Sequence, residues 1–153
     1  MKIALGTDHA GYPLKEKVKA HLIARGYEVA DYGCHSEERV DYPLYVKYAA
    51  QSVAKGVNDA GVVFGGSGNG EAIAANKVAG IRCALCWNED TGRLAKQHNN
   101  ANVIALGGRV MSETDAIAAL DAWIGAEFEG DRHVNRLAML EEELPPPPGF
   151  DAL

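Results

Sequence analysis

Short apolar runs alternate along this chain with longer stretches in which apolar residues recur every three or four positions. Residues 2–6 (KIALG) form the first run; after the polar loop Thr7, Asp8, His9, Ala10 and Gly11, the positions Leu14, Val18, Leu22 and Ile23 fall at helical spacing. Gly26 predicts the end of that helix, and residues 27–32 a second strand. A polar loop over residues 33–41 leads to a helix over 42–55, with Tyr45, Val46, Ala49, Ala50 and Val53 as its apolar positions and Pro43 in its first turn. Residues 61–64 read as a third strand, which breaks into a glycine-rich loop at 65–70 before a small-residue helix from Glu71. Residues 81–86 predict strand four, 88–98 a helix opened by Asn88, and 102–106 strand five. Ser112 with Asp115 marks the start of a helix through about Phe128.

Five strands, each followed by a helical segment, imply an α/β sandwich of three layers around a five-stranded parallel sheet, with right-handed crossovers. Ligands of such sheets bind beyond the carboxyl ends of the strands, where the loops after strands one and three would meet. Residues 132–144 add a further helix with Val134, Leu137, Ala138, Leu140 and Leu144 on an apolar stripe, ending in Glu141, Glu142 and Glu143. That stripe suits either a partner subunit or the helix's own domain, and a homodimer at least is expected. Residues 145–148 are four prolines, which predict extended polyproline, and 149–153 a tail. The expected organisation is therefore one domain over 1–144 and a proline-rich tail over 145–153.

The totals narrow the function classes. A chain of 153 residues can bury a full core without disulfides or a structural metal. Its net charge of −6 argues against general nucleic-acid binding, which leaves a basic face, so any anionic ligand has to be met by local positive charge. No run approaches the length of a membrane span, and a cytoplasmic location is expected. The three cysteines Cys34, Cys83 and Cys86 fit a reduced compartment. Cys83 and Cys86 have C-x-x-C spacing, but strand geometry sends positions three apart to opposite faces, so buried thiols are expected rather than a metal or redox pair.

The loop Gly65, Gly66, Ser67, Gly68, Asn69, Gly70 fits neither familiar phosphate cradle. The dinucleotide fingerprint needs a third glycine where Glu71 stands, and the triphosphate loop needs lysine and a hydroxyl residue where the chain has Glu71 and Ala72. A carboxylate at the mouth of a nest of backbone amides suits a base beside an oxyanion hole, or else an acidic side chain that favours a helix N-terminus. Other groups stand at element ends: Asp8 with His9, His98 with Asn99, Arg132 with Arg136, and Arg109. Singly, each has an ordinary reading as a cap, a solvated loop residue or a surface charge. Together they offer a base, an imidazole acid, an oxyanion nest and a cationic clamp, the set required for proton transfer on a phosphorylated sugar.

The stretches GTDHAG (6–11), DYP (41–43), GGSGNGEAIAANKVAGIR (65–82), QHNNANVIALGGR (97–109) and EGDRHVNR (129–136) resemble type B ribose-5-phosphate isomerases, within the wider ribose/galactose-phosphate isomerase family. The resemblance covers residues 1 to about 140. It implies a Rossmann-like fold and a metal-free, cofactor-free aldose–ketose isomerisation through an enediolate, in a site shared between two subunits of a homodimer, which can pair further into a tetramer. Position by position it implies that Asp8, His9 and Tyr42 lie at the sugar-phosphate site, and that Gly66, Ser67, Gly68, Asn69 and Gly70 supply groups near the reacting oxygens. It makes His98 the proton donor in ring opening, while Asn99, Arg109, Arg132 and Arg136 bind substrate, the arginines chiefly its phosphate. Many members carry a cysteine base where this chain has Gly65; the branch without it uses a glutamate just after the loop, which is Glu71 here. The expected reaction interconverts ribose 5-phosphate and ribulose 5-phosphate. The same chemistry on a four-carbon (erythrulose) or six-carbon (allose or galactose) phosphate is the nearest alternative, and a non-catalytic nucleotide, flavin or sugar-phosphate binder is a more distant one.

Overall fold

The computed structural model describes residues 1–149; the last four residues of the expected tail lie outside the described part. Five parallel strands stand in the order β2-β1-β3-β5-β4: β1 (Lys2–Thr7), β2 (Glu28–Asp31), β3 (Ala60–Gly65), β4 (Cys83–Leu85) and β5 (Val103–Gly107). The helices between them are α1 (Tyr12–Ala24), α2 (Tyr42–Ala54), α3 (Asn69–Asn76) and α4 (Glu89–Asn99), and α5 (Glu113–Gly125) follows β5.

Period-two alternation sorts the core into two layers. Ile3, Leu5, Val62, Phe64, Ile104 and Leu106 face α1, α4 and α5, while Ala4, Val63, Val103 and Ala105 face α2 and α3. Fully burying side chains of the size of Phe64 or Leu106 is worth about 1.5–3 kcal/mol each, which holds both helical layers on the sheet. Gly92 sets the closest approach between helices, since a Cβ there would strike the Ala119 carbonyl. Cys83 packs on the α2/α3 side and Cys86 on the other, as strand geometry requires. Burial pushes the Cys86 thiol up to about 12 and Cys83 higher still, so both are inert thiols.

The sheet edge at β4 is closed by one side chain. The Asn76 amide donates to the Cys83 carbonyl and accepts from the Cys83 N–H, both at 2.8 Å. Asn88 opens α4 as expected, in a capping box with Thr91.

Strand β4 is shorter than the expected 81–86, and three helix boundaries differ from the sequence reading. Helix α3 starts at Asn69 rather than Glu71, because Gly68 adopts the left-handed conformation (φ 81°) that lets the loop turn directly into a helix. Helix α5 stops at Gly125 instead of running to about Phe128, with Ala126 already extended. The last helix, α6, covers only Arg132–Ala138, followed by a 3-10 turn over Met139–Glu141. Three successive glutamates at a helix C-terminus oppose the dipole, and Pro145 disfavours helix at Leu144. Among the described residues the expected apolar stripe is only partly covered: Leu137 is half-buried, whereas Val134, Leu140 and Leu144 are 52%, 64% and 48% exposed.

Candidate active site

The sheet reverses direction of winding between β1 and β3, and the loops after β1, β3 and β5 converge there. The Thr7 hydroxyl donates to the Phe64 carbonyl (3.1 Å), and the Gly108 and Arg109 amides donate to the carbonyls of Gly65 and Gly66 (2.8 and 2.9 Å). A Cβ on Gly11 would lie 2.6 Å from the Gly65 nitrogen, so at this position the first loop approaches the third strand too closely for any side chain.

Asp8 is buried, and its Oδ1 accepts from the amides of Ala10 and Gly11 (2.9 and 3.0 Å), which fixes the turn into α1. His9 stands beside it, Nδ1 3.9 Å from Asp8 Oδ2, and the Val40 amide donates to that same Nδ1 at 3.4 Å. The loop after β2 is thus drawn over the loop after β1. Tyr42 begins α2 against the glycine loop: a Cβ on Gly70 would come within 3.0 Å of its hydroxyl. Arg109 lies over Gly66, where a Cβ would meet its Cδ at 3.5 Å. The Ser67 hydroxyl is exposed and accepts from the Asn69 amide and side chain (3.3 and 3.2 Å), bracing the loop.

Glu71 is only 4% exposed. It occupies the third position of α3, from which a side chain turns back toward the loop amides. Its carboxyl group fills the place that a Cβ on Gly65 would take. Burial raises its pKa; the neighbouring Asp8 carboxylate adds to the rise, and the amides of Glu71 and Gly68 partly offset it. A carboxylate poised upward in this way is better matched to proton transfer near neutral pH than a solvated one.

The remaining predicted residues are elsewhere. His98 and Asn99 close α4, and that end of α4 delivers the chain to the amino end of β5, as the bonds from Gly61 to Asn102 O and from Arg82 to the carbonyls of Asn99 and Asn100 show. Glu71 and Asp8 stand at the carboxyl ends of the strands. The five residues of β5, at about 3.3 Å each, separate the two groups. On the far side α6 packs against α4, where Arg136 lines a cavity of about 260 Å³ with His98, Asn99 and His133; Arg132 is exposed at the start of the same helix. One chain therefore assembles Asp8, His9, Tyr42, Gly66, Ser67, Gly68, Asn69, Gly70, Glu71 and Arg109, but not His98, Asn99, Arg132 or Arg136 with them.

Two groups escaped the sequence reading. Lys15, on α1, is wholly buried: its ammonium donates to both Asp31 oxygens (3.0 and 2.8 Å) and to the Cys34 carbonyl (2.9 Å), tying β2 to the loop that covers His9. Burial pushes the Asp31 carboxyl up, but the bonds from Lys15, Lys19 and the Gly33 amide outweigh it and hold the group below the ordinary range. The second is His133, which stands between Arg132 and Arg136 in the chain but is buried, stacked on His98 with ring centroids 4.5 Å apart. Its place in the stretch DRHVNR was the only signal.

A doubly wound parallel sheet with a buried carboxylate at a glycine loop, and imidazole and guanidinium groups on its last helices, defines a Rossmann-like α/β/α protein equipped for acid–base chemistry on an anion. The chain belongs to the Ribose/Galactose Isomerase family, whose model matches residues 3–140. It is 48% identical over 136 residues to ribose-5-phosphate isomerase B of Escherichia coli K12, a match covering 89% of this chain and 91% of that protein. Ribose-5-phosphate isomerase B of Clostridium thermocellum superposes with a TM-score of 0.90 at 46% identity, over 92% of this chain and 95% of the other. The Mycoplasma genitalium enzyme, whose structure holds ribulose 5-phosphate, superposes with a TM-score of 0.87 at 36% identity, over 91% and 93%. Among the described residues no helix is long and apolar enough to cross a membrane.

Proposed function

We propose that this protein is an aldose–ketose isomerase that interconverts ribose 5-phosphate and ribulose 5-phosphate, with Glu71 as the base. The observation that carries this reading is the buried Glu71 carboxyl, held in the space beside Gly65 where a cysteine side chain would otherwise stand. Moving hydrogen between C1 and C2 needs one base that takes a proton alpha to a carbonyl and returns it to the neighbouring carbon. Negative charge builds on the carbonyl oxygen meanwhile, and loop amides from Gly66 to Gly70 suit it, an effect worth roughly 3–4 kcal/mol per donor in other enzymes. His98 donates the proton that opens the sugar ring, and Asn99, Arg109, Arg132 and Arg136 hold the substrate, the arginine forks at its phosphate. The reaction is redox-neutral overall and needs no electron carrier.

The working unit is a homodimer with the site shared between subunits. Glu71 and the His98/Arg136 group stand at opposite ends of one sheet, a separation longer than a five-carbon phosphate, so a second copy has to bring its α4 and α6 to the glycine loop. Exposed Val134, Leu140 and Leu144 supply apolar surface for that contact. Residues 1–144 act as the isomerase domain, and 145–153 lie outside it.

The test is exchange of the C2 proton in deuterated water with ribose 5-phosphate, beside four- and six-carbon phosphates. Exchange with ribose 5-phosphate alone or foremost is expected; faster exchange with another chain length reassigns the substrate, and none with any of them removes the isomerase reading.

A further inference from the structure

His98, Glu129 and His133 form a cluster with a chemistry of its own. Glu129 Oε2 lies 3.7 Å from His98 Nε2 and 3.8 Å from His133 Nε2, and the three ligand atoms all lie within 4.8 Å of one another. His133 is 5% exposed, and its Nε2 is buried without a hydrogen-bond partner. A buried imidazole nitrogen left in that state is costly unless something occupies the space before it. Atoms around a tetrahedral zinc ion with bonds of about 2.1 Å stand about 3.4 Å apart. Two edges of the cluster are within a few tenths of an ångström of that spacing; the imidazole planes are stacked, 12° apart, so the part-exposed His98 ring has to turn for both lone pairs to meet one ion. In the single chain the side chains of His98 and Glu129 are 35% and 43% exposed, and the 260 Å³ cavity lies against both imidazoles and Arg136.

The geometry points to a three-ligand site for a borderline-soft divalent cation of the Zn²⁺ class, made by His98, Glu129 and His133, whose occupation takes His98 out of proton transfer. Two imidazoles and one carboxylate suit zinc far better than magnesium or calcium, which prefer oxygen. A fourth ligand, a water or an anionic oxygen, would complete the shell, and the cavity beside both imidazoles and Arg136 has room for it. The ion has no part in the isomerisation; it is an inhibitor that competes for the ring-opening imidazole. That last effect rests on the function proposed above, whereas the binding does not.

The experiment separates the two. Full-length protein freed of metal is titrated with Zn²⁺ by calorimetry and by competition with a chromophoric chelator, without sugar. One ion per chain is expected, with affinity weakened in Glu129→Gln and His133→Gln by more than the roughly 10–100-fold that loss of even an outer partner costs. A variant with both Cys83 and Cys86 replaced by alanine should bind as tightly as the parent. Glu129 is exposed, so its variant folds even if His133→Gln does not. Uptake unchanged in Glu129→Gln, or abolished only by the cysteine replacements, overturns the site. Turnover is then followed against Zn²⁺: inhibition that tracks binding and is relieved in Glu129→Gln is expected, and stoichiometric binding with undiminished turnover overturns the inhibitory effect and with it the ring-opening role of His98.

Discussion

The carboxyl group of Glu71 and a side chain at position 65 compete for one volume. Gly65→Cys or Gly65→Ala should force the carboxyl out of its place and lower kcat, although neither touches the base covalently. Glu71→Gln keeps the shape and removes the base, and should lower kcat by about 10²–10⁴-fold with KM little changed. Steady-state kinetics of the three variants checks this; near-normal kcat in Glu71→Gln returns that residue to a helix-end role.

Arg132 and Arg136 are exposed on α6 in the single chain. Arg136→Ala should chiefly raise KM, since in the proposed site it removes a phosphate contact made in ground and transition states alike. Mixing inactive Glu71→Gln chains with Arg136→Ala chains should restore roughly a quarter of the parent activity if subunits exchange freely in a two-fold dimer, because half the dimers then carry one intact site. Activity no greater than the sum of the parts would place both residues in one chain's site.

As the proposed base, Glu71 has to be ionised for turnover, and burial raises its pKa. Activity should therefore fall as pH drops through that raised value, and the acid limb of the kcat/KM profile should lie above the ordinary glutamate value of about 4.3. Asp8→Asn removes a neighbouring negative charge and should move the limb to lower pH. An acid limb at the same position in both proteins would argue that Asp8 does not act on the base.

Lys15 and Asp31 make the opposite case. The folded protein holds Asp31 below the ordinary carboxylate range, so its contribution to stability is complete above the unfolded value and is lost as pH falls through the folded one. Lys15→Met leaves that carboxylate with Lys19 as its remaining ammonium partner and should cost about 3 kcal/mol. Urea unfolding at neutral pH and below pH 4 checks both: the difference between parent and variant should shrink at the acid end.

Most of the fold was legible because each layer of it is written as a period. Ile3, Leu5, Phe64 and Leu106 alternate with small residues on two buried faces, and Leu14, Val18 and Leu22 repeat at helical spacing. The ends of α3 and α6 were less legible: one depends on a left-handed glycine, the other on a run of like charge, neither of which a period records. Glu71 stood out because it broke two known spacings. His133 and Lys15 did not, since a polar residue in a helix reads as solvated until the packing shows it buried. The separation of His98 from Glu71 followed from strand direction, which the sequence already implied but motif reading ignores.

The pair of bonds from Asn76 to Cys83 makes that side chain a one-residue surrogate for a sixth strand. An incoming extended segment at that edge would find the Cys83 donor and acceptor already engaged, so strand-by-strand growth is blunted there. In the homodimer proposed above, this edge leaves the contact to the helices, an arrangement that closes on itself instead of lengthening into a fibre.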